Sequence, residues 1–194
     1  MALVRDSNPR DGIDHMLRCV EVLNNVIARV PNDKWSSQTC CTAWTARDCA
    51  SHAIGVVVNF HARATGGSTV DINDGTWADP SPAESSQRHV DRLLHIIGDV
   101  DPTAIFSHPL FGDISYDEFF GSLAYDSLIH AWDIADATGV DHRIDDSLAI
   151  AASARSAHLM HHVRSDDYVF NPACGNSPLN RLVESTGRTP VNGW

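Results

Sequence analysis

The 194-residue sequence predicts an all-α protein, an antiparallel four-helix bundle with an additional C-terminal helix and an irregular tail. Three observations carry this expectation. Apolar residues recur at spacings of three and four in successive segments, those segments are bounded by capping residues and by Gly or Pro, and no convincing alternating β pattern interrupts them. At this length one core suffices, and nothing in the composition marks a second domain, so residues 1–194 read as one unit.

The first helix, over residues 11–30, places Ile13, Met16, Leu17, Val20, Leu23, Ile27 and Val30 on one stripe, and Pro31-Asn32-Asp33 ends it. A loop carrying Trp35, Cys40, Cys41 and Trp44 follows. Thr45 can cap a second helix, with Asp48 in its first turn, that runs to about Ala64 and stops at Gly66-Gly67. Residues 68–81 are polar and rich in turn formers, hence a loop. Pro82 opens a third helix striped by Val90, Leu93, Leu94 and Ile97. Residues 101–115 are too short and too broken by Pro102, Pro109 and Gly112 for a helix. Ser115 can cap a fourth helix from Tyr116 to Thr138, closed by Gly139. A fifth begins near Asp145-Asp146 and carries Leu148, Ala151, Ala152, Arg155, Leu159 and His162; beyond Phe170 only a short helix around Leu179–Ser185 is expected.

The formal charge of -11, from 25 acidic and 14 basic residues with no basic stripe, would repel a phosphate backbone and argues against nucleic-acid binding. No run of about 18 apolar residues appears, and the N-terminus lacks the charged-then-apolar order of a secretory signal, so a soluble cytoplasmic protein without membrane partners is expected. Five cysteines without a CxxC spacing indicate neither a disulfide framework nor a thiolate zinc cage. A single lysine, Lys34, with Ala- and Asp-rich content hints at a GC-rich bacterial genome.

The chemistry concentrates on the fourth helix, where Phe119, Leu123, Asp126, His130, Ile134 and Ala137 share one side. An ionised Asp on such a row costs several kcal/mol if it is unpaired. A divalent metal would remove that cost, since side chains at i and i+4 reach one ion. His52 lies on a comparable row of the second helix, with Cys49, Val56 and Asn59. Bundles build metal sites from inward side chains of facing helices, and His52, Asp126 and His130 would supply two imidazoles and a carboxylate while leaving coordination positions open. Periodicity alone leaves the alternative that Asp126 and His130 face solvent or pair across one turn.

The segments TCCTAWTARDCASHAIG (39–55), LIHAWDIADATG (128–139) and ESTGRTP (184–190), in this order, resemble the actinobacterial DinB-like family of metal-binding bundles, which is related to the N-terminal domain of mycothiol-dependent maleylpyruvate isomerase. The resemblance spans nearly the whole chain. It implies that His52, Asp126 and His130 are metal ligands, with zinc expected first and nickel or iron as alternatives. It also implies a low-molecular-weight thiol such as mycothiol as co-substrate, and a small anionic substrate. The family's T-P-C reads Thr39-Cys40-Cys41 here, so a proline is lost and a thiol gained.

Other residues carry both a functional and a plain reading. Cys41, just ahead of the second helix, could be a nucleophile whose thiol is acidified by the helix dipole, or could pack against Trp44. Asp133 could accept a hydrogen bond from a ligand imidazole, or pair with an arginine. His158, His161 and His162 could form a second metal patch, although adjacent residues diverge by about 100° around a helix. Arg181 and Arg188 could steer an anionic substrate or pair with the many acids. The leading expectation is a metal-dependent thiol transferase or isomerase. The alternative is a non-catalytic metal- or thiol-binding stress or regulatory module that could form a homodimer through its bundle faces.

Overall fold

Six α-helices and one two-stranded antiparallel sheet make up the described residues of a computed structural model, which are 9–41, 43–159 and 177–188. The helices are α1 (Pro9–Arg29), α2 (Ala46–Ala64), α3 (Pro82–Ile96), α4 (Tyr116–Thr138), α5 (Asp146–Ser156) and α6 (Pro178–Glu184). None is long and apolar enough to cross a membrane.

The expected caps form in detail. The Thr45 hydroxyl accepts from the Asp48 amide while the Asp48 carboxylate accepts from the Thr45 amide, and Ser115 with Glu118 builds the same box on α4. Gly139 ends α4 at φ 76°, a left-handed conformation that favours glycine.

α4 lies at the centre, packing against α1, α2, α5 and α6, while α3 covers α1 and α2. Its residues from Ser127 to Asp136 are all buried, so polar groups on several sides of the helix must find partners inside the protein. Phe60, Phe120, Met16, Ile54 and Leu123 fill the core between these helices.

Three expectations are corrected. The protein is mostly helical, not purely so: residues 101–115 contain strands β1 (Ile105–His108) and β2 (Gly112–Ser115), paired Ile105 to Ser115 and Phe106 to Ile114. Ile105 faces solvent while Phe106 packs on Tyr116 and Phe119 at ring separations of 4.7 and 5.3 Å, so the hairpin lays one aromatic edge on α4. Leu94 is 51% exposed, whereas its neighbour Leu93 is buried. α5 stops at Ser156, and Leu159 reaches the core from a turn closed by its amide on the Ser156 carbonyl. His161, His162 and Cys174 lie outside the described residues.

Candidate metal centre

His52, on α2, and Asp126 and His130, one turn apart on α4, come together where the two helices pack. One donor atom from each lies within 4.8 Å of the others. The imidazoles meet edge to face with centroids 5.0 Å apart, and the Trp44 ring covers both, at 4.7 Å from His52 and 5.9 Å from His130.

Each imidazole is fixed through its Nδ1. His130 Nδ1 stands 3.0 Å from Asp133 Oδ2, and because a carboxylate only accepts, the Nδ1 proton is donated there. His52 Nδ1 stands 2.8 Å from the side-chain oxygen of Asn73. Both Nε2 atoms are therefore left for the space they share with Asp126, and His130 Nε2 lies 3.5 Å from Asp126 Oδ1. The other carboxylate oxygen, Asp126 Oδ2, is buried and has no hydrogen-bond partner among the described residues.

The electrostatics follow from this crowding. Burial works against an imidazolium at His130, but the Asp126 and Asp133 carboxylates outweigh it and raise its pKa well above the ordinary value. Burial, helped by His130, lowers the pKa of His52. Asp126 also stays low: burial opposes its charge, and the two histidines overcome that opposition.

Asp133 is the buried anchor behind the cluster. Its side chain is wholly enclosed, and Arg188 reaches it from beyond α6 through two bonds, Nε to Oδ1 at 2.6 Å and a terminal nitrogen to Oδ2 at 2.9 Å. Burial would raise the Asp133 pKa; Arg188 and the His130 hydrogen bond hold it well below the carboxylate range instead. Both readings of Asp133 thus coexist in one residue. For Arg188, pairing is what the structure contains, and no steering role is needed to account for it.

Two further groups have donor atoms equally close, Cys49–His130–Asp133 and Cys40–Cys41–Asp133. Both use Asp133, whose two oxygens already serve Arg188, and the guanidinium would repel a cation at either. Burial also pushes the Cys49 thiol up to about 11, far from a ligating thiolate. The His52–Asp126–His130 group fits a divalent ion best.

The remaining candidates separate. Cys41 is half-buried, and its pKa is lowered to about 7, chiefly by the neighbouring Cys40 thiol. His158 is not part of a metal patch among the described residues; it pairs with Glu118 at 3.1 Å on the surface. Arg181 sits on the exposed side of α6.

Sequence reasoning missed Asn73, Trp44 as a cover for the imidazoles, and Cys40 as a donor to Asp133 Oδ1 at 3.3 Å. Asn73 gave no local signal because it reaches His52 from a polar loop. That loop lies against Gly55, where an added Cβ would come within 2.7 Å of the Ile72 carbonyl oxygen and 2.8 Å of the Trp77 ring. Gly55→Ala should therefore push the loop away: overpacking of ~1–3 kcal/mol exceeds the ~0.5–1 kcal/mol that alanine gains in a helix. Denaturant unfolding should read a net loss, and a more stable variant would refute the tight approach.

No family model and no solved structure matches the chain. Similar to it are two uncharacterized proteins of Mycobacterium tuberculosis, MT0763 of strain CDC 1551 and Rv0738 of strain H37Rv. Each is 28% identical over 154 residues, which cover 74% of this chain and 76% of the relative.

Proposed function

We propose that this chain is a metal-binding antiparallel four-helix bundle of the DinB-like kind, and a metal-dependent enzyme that acts with a low-molecular-weight thiol of the mycothiol type, by S-transfer or isomerisation. The observation that carries the metal reading is Asp126 Oδ2, a buried carboxylate oxygen without a partner among the described residues, beside two imidazoles whose Nδ1 atoms are committed elsewhere. Such an atom calls for a cation. Without the ion, His130 in its protonated form would present Nε2–H to Asp126 Oδ1, 3.5 Å away. A divalent ion bound there would supply a Lewis acid with open positions, able to acidify a thiol and to stabilise negative charge on a substrate oxygen.

The chain's own residues supply the rest. Asp133 and Asn73 orient the two imidazoles, and ligand histidines held in this way bind tighter. Trp44 shields the two rings, which lowers the local dielectric. The thiol part of the proposal is supported by the motif resemblance and by the three-ligand set, which leaves room for a sulfur.

Protein purified without chelator is expected to carry close to one equivalent of zinc, nickel or iron by elemental analysis. His52→Ala and His130→Ala should each abolish that stoichiometry. Cobalt substitution followed by thiol titration should shift the visible spectrum as sulfur joins the ion. Metal-free protein that also fails to take up any divalent ion would overturn the metal reading, and an unchanged cobalt spectrum would overturn the thiol reading alone.

A further inference from the structure

Cys40 and Cys41 have no part in the three-ligand cluster, yet their surroundings are built. Their sulfurs lie within 4.8 Å of one another and of an Asp133 oxygen. Cys40 donates its thiol hydrogen to Asp133 Oδ1 at 3.3 Å, the same oxygen that Arg188 Nε holds at 2.6 Å. Both cysteines are half-buried and within reach of a small molecule, whereas Cys49 and Cys19 are fully buried.

We propose that Cys40 and Cys41 form a two-thiol oxidation site that reduces hydroperoxides and closes to a disulfide between adjacent residues. Cys41 is the attacking sulfur. The Cys40 thiol hydrogen is committed to Asp133, which leaves Cys41 as the thiol free to ionise, and the positive field of Arg188 favours its thiolate. Cys40 is the resolving thiol, kept protonated because it donates to the Asp133 carboxylate. A divalent cation is the wrong ligand here, since Arg188 already supplies the positive charge; a neutral electrophile suits the site.

The Cys41 thiolate attacks one peroxide oxygen, the O–O bond breaks, and the other oxygen leaves as an alcohol after taking a proton. Cys41 becomes a sulfenic acid. The Cys40 sulfur then attacks the Cys41 sulfur, the S–S bond forms, the S–O bond breaks, and the hydroxyl leaves with the Cys40 proton as water. Two thiols lose two electrons, and one hydroperoxide becomes an alcohol and water.

Adjacent Cα atoms stand about 3.8 Å apart across a trans peptide, closer than the ~4.4–6.8 Å of ordinary disulfides, so the product is strained and easily reduced. Strained disulfides are the labile, reversible kind. Closure removes only the weak S–H bond to Asp133, which keeps Arg188 and His130 as partners. None of His52, Asp126 and His130 takes part in these steps, and Asp133 is the residue shared with the metal proposal, holding Cys40 through Oδ1 and His130 through Oδ2.

The test uses the full chain treated with equimolar hydrogen peroxide, alkylated and cut with trypsin. Cleavage at Lys34 and Arg47 isolates peptide 35–47, which contains Cys40 and Cys41 and no other cysteine. The expected product is this peptide lighter by about 2 Da and restored by a dithiol reductant. Cys41→Ser should slow loss of the Cys40 thiol by about tenfold or more. Cys40→Ser should leave Cys41 as a sulfenic acid that dimedone traps. Recovery of peptide 35–47 alkylated at both cysteines, or its joining to another peptide such as 48–63 with Cys49, overturns the proposal. So does unchanged oxidation of Cys40 in Cys41→Ser.

Discussion

Asp133→Ala is expected to destabilise the protein by ~3–5 kcal/mol, because it strands the Arg188 guanidinium inside the structure without a counter-charge. The Asp133 side chain is fully enclosed, and the Arg188 side chain is only 14% exposed, so water cannot replace the lost carboxylate. His130 loses its Nδ1 acceptor in the same step. Denaturant unfolding at neutral pH reads the total. The double variant Asp133→Leu with Arg188→Met separates charge from packing, since an apolar pair removes both ions together and should recover most of the loss. A double variant no more stable than Asp133→Ala would show that the stranded charge is not the cause.

The same residue shows how far sequence carries and where it stops. Asp126, His130 and Asp133 are spaced by four and three, one row of α4, and that spacing is legible in the amino-acid order alone. His52 was legible for the same reason, as a polar residue on a core-facing row of α2. Arg188 and Cys40 were not, because they meet Asp133 across 55 and 93 residues and no local pattern encodes such a contact. The helix ends were legible because a cap is a local hydrogen bond, as the boxes at Thr45 and Ser115 demonstrate. The hairpin was hidden by its brevity: four residues per strand give two inward positions each, and in β1 each side carries one apolar and one polar residue, Ile105 and Ser107 outward and Phe106 and His108 inward. Hydrophobicity alone therefore does not choose a face there. Leu93 and Leu94 illustrate a finer limit, since neighbours about 100° apart on a helix cannot both sit at the centre of one narrow stripe.

That last distinction gives the second large effect. Phe60→Ala should cost ~3–5 kcal/mol, the range for removing a fully buried aromatic ring that the surroundings cannot collapse onto. Phe60 is 0% exposed and sits among rings from α4, with centroids 5.2 Å from Phe119, 5.6 Å from Phe120 and 6.3 Å from Tyr116. Phe119 and Tyr116 are themselves braced by Phe106 of the hairpin, so the cavity cannot close without moving the sheet. Leu94→Ala is the control, because its 51% exposure places it among surface substitutions that change stability by about 0.5 kcal/mol or less. A comparable loss from both would mean that Leu94 is covered in solution, by a second copy or another partner. Phe60 lies two turns along α2 from His52, and its ring neighbours among the described residues belong to the aromatic cluster rather than to the imidazole site. Folded Phe60→Ala protein should accordingly keep the metal stoichiometry of the parent chain while unfolding at lower denaturant, which would separate the packing of the core from the chemistry at its edge.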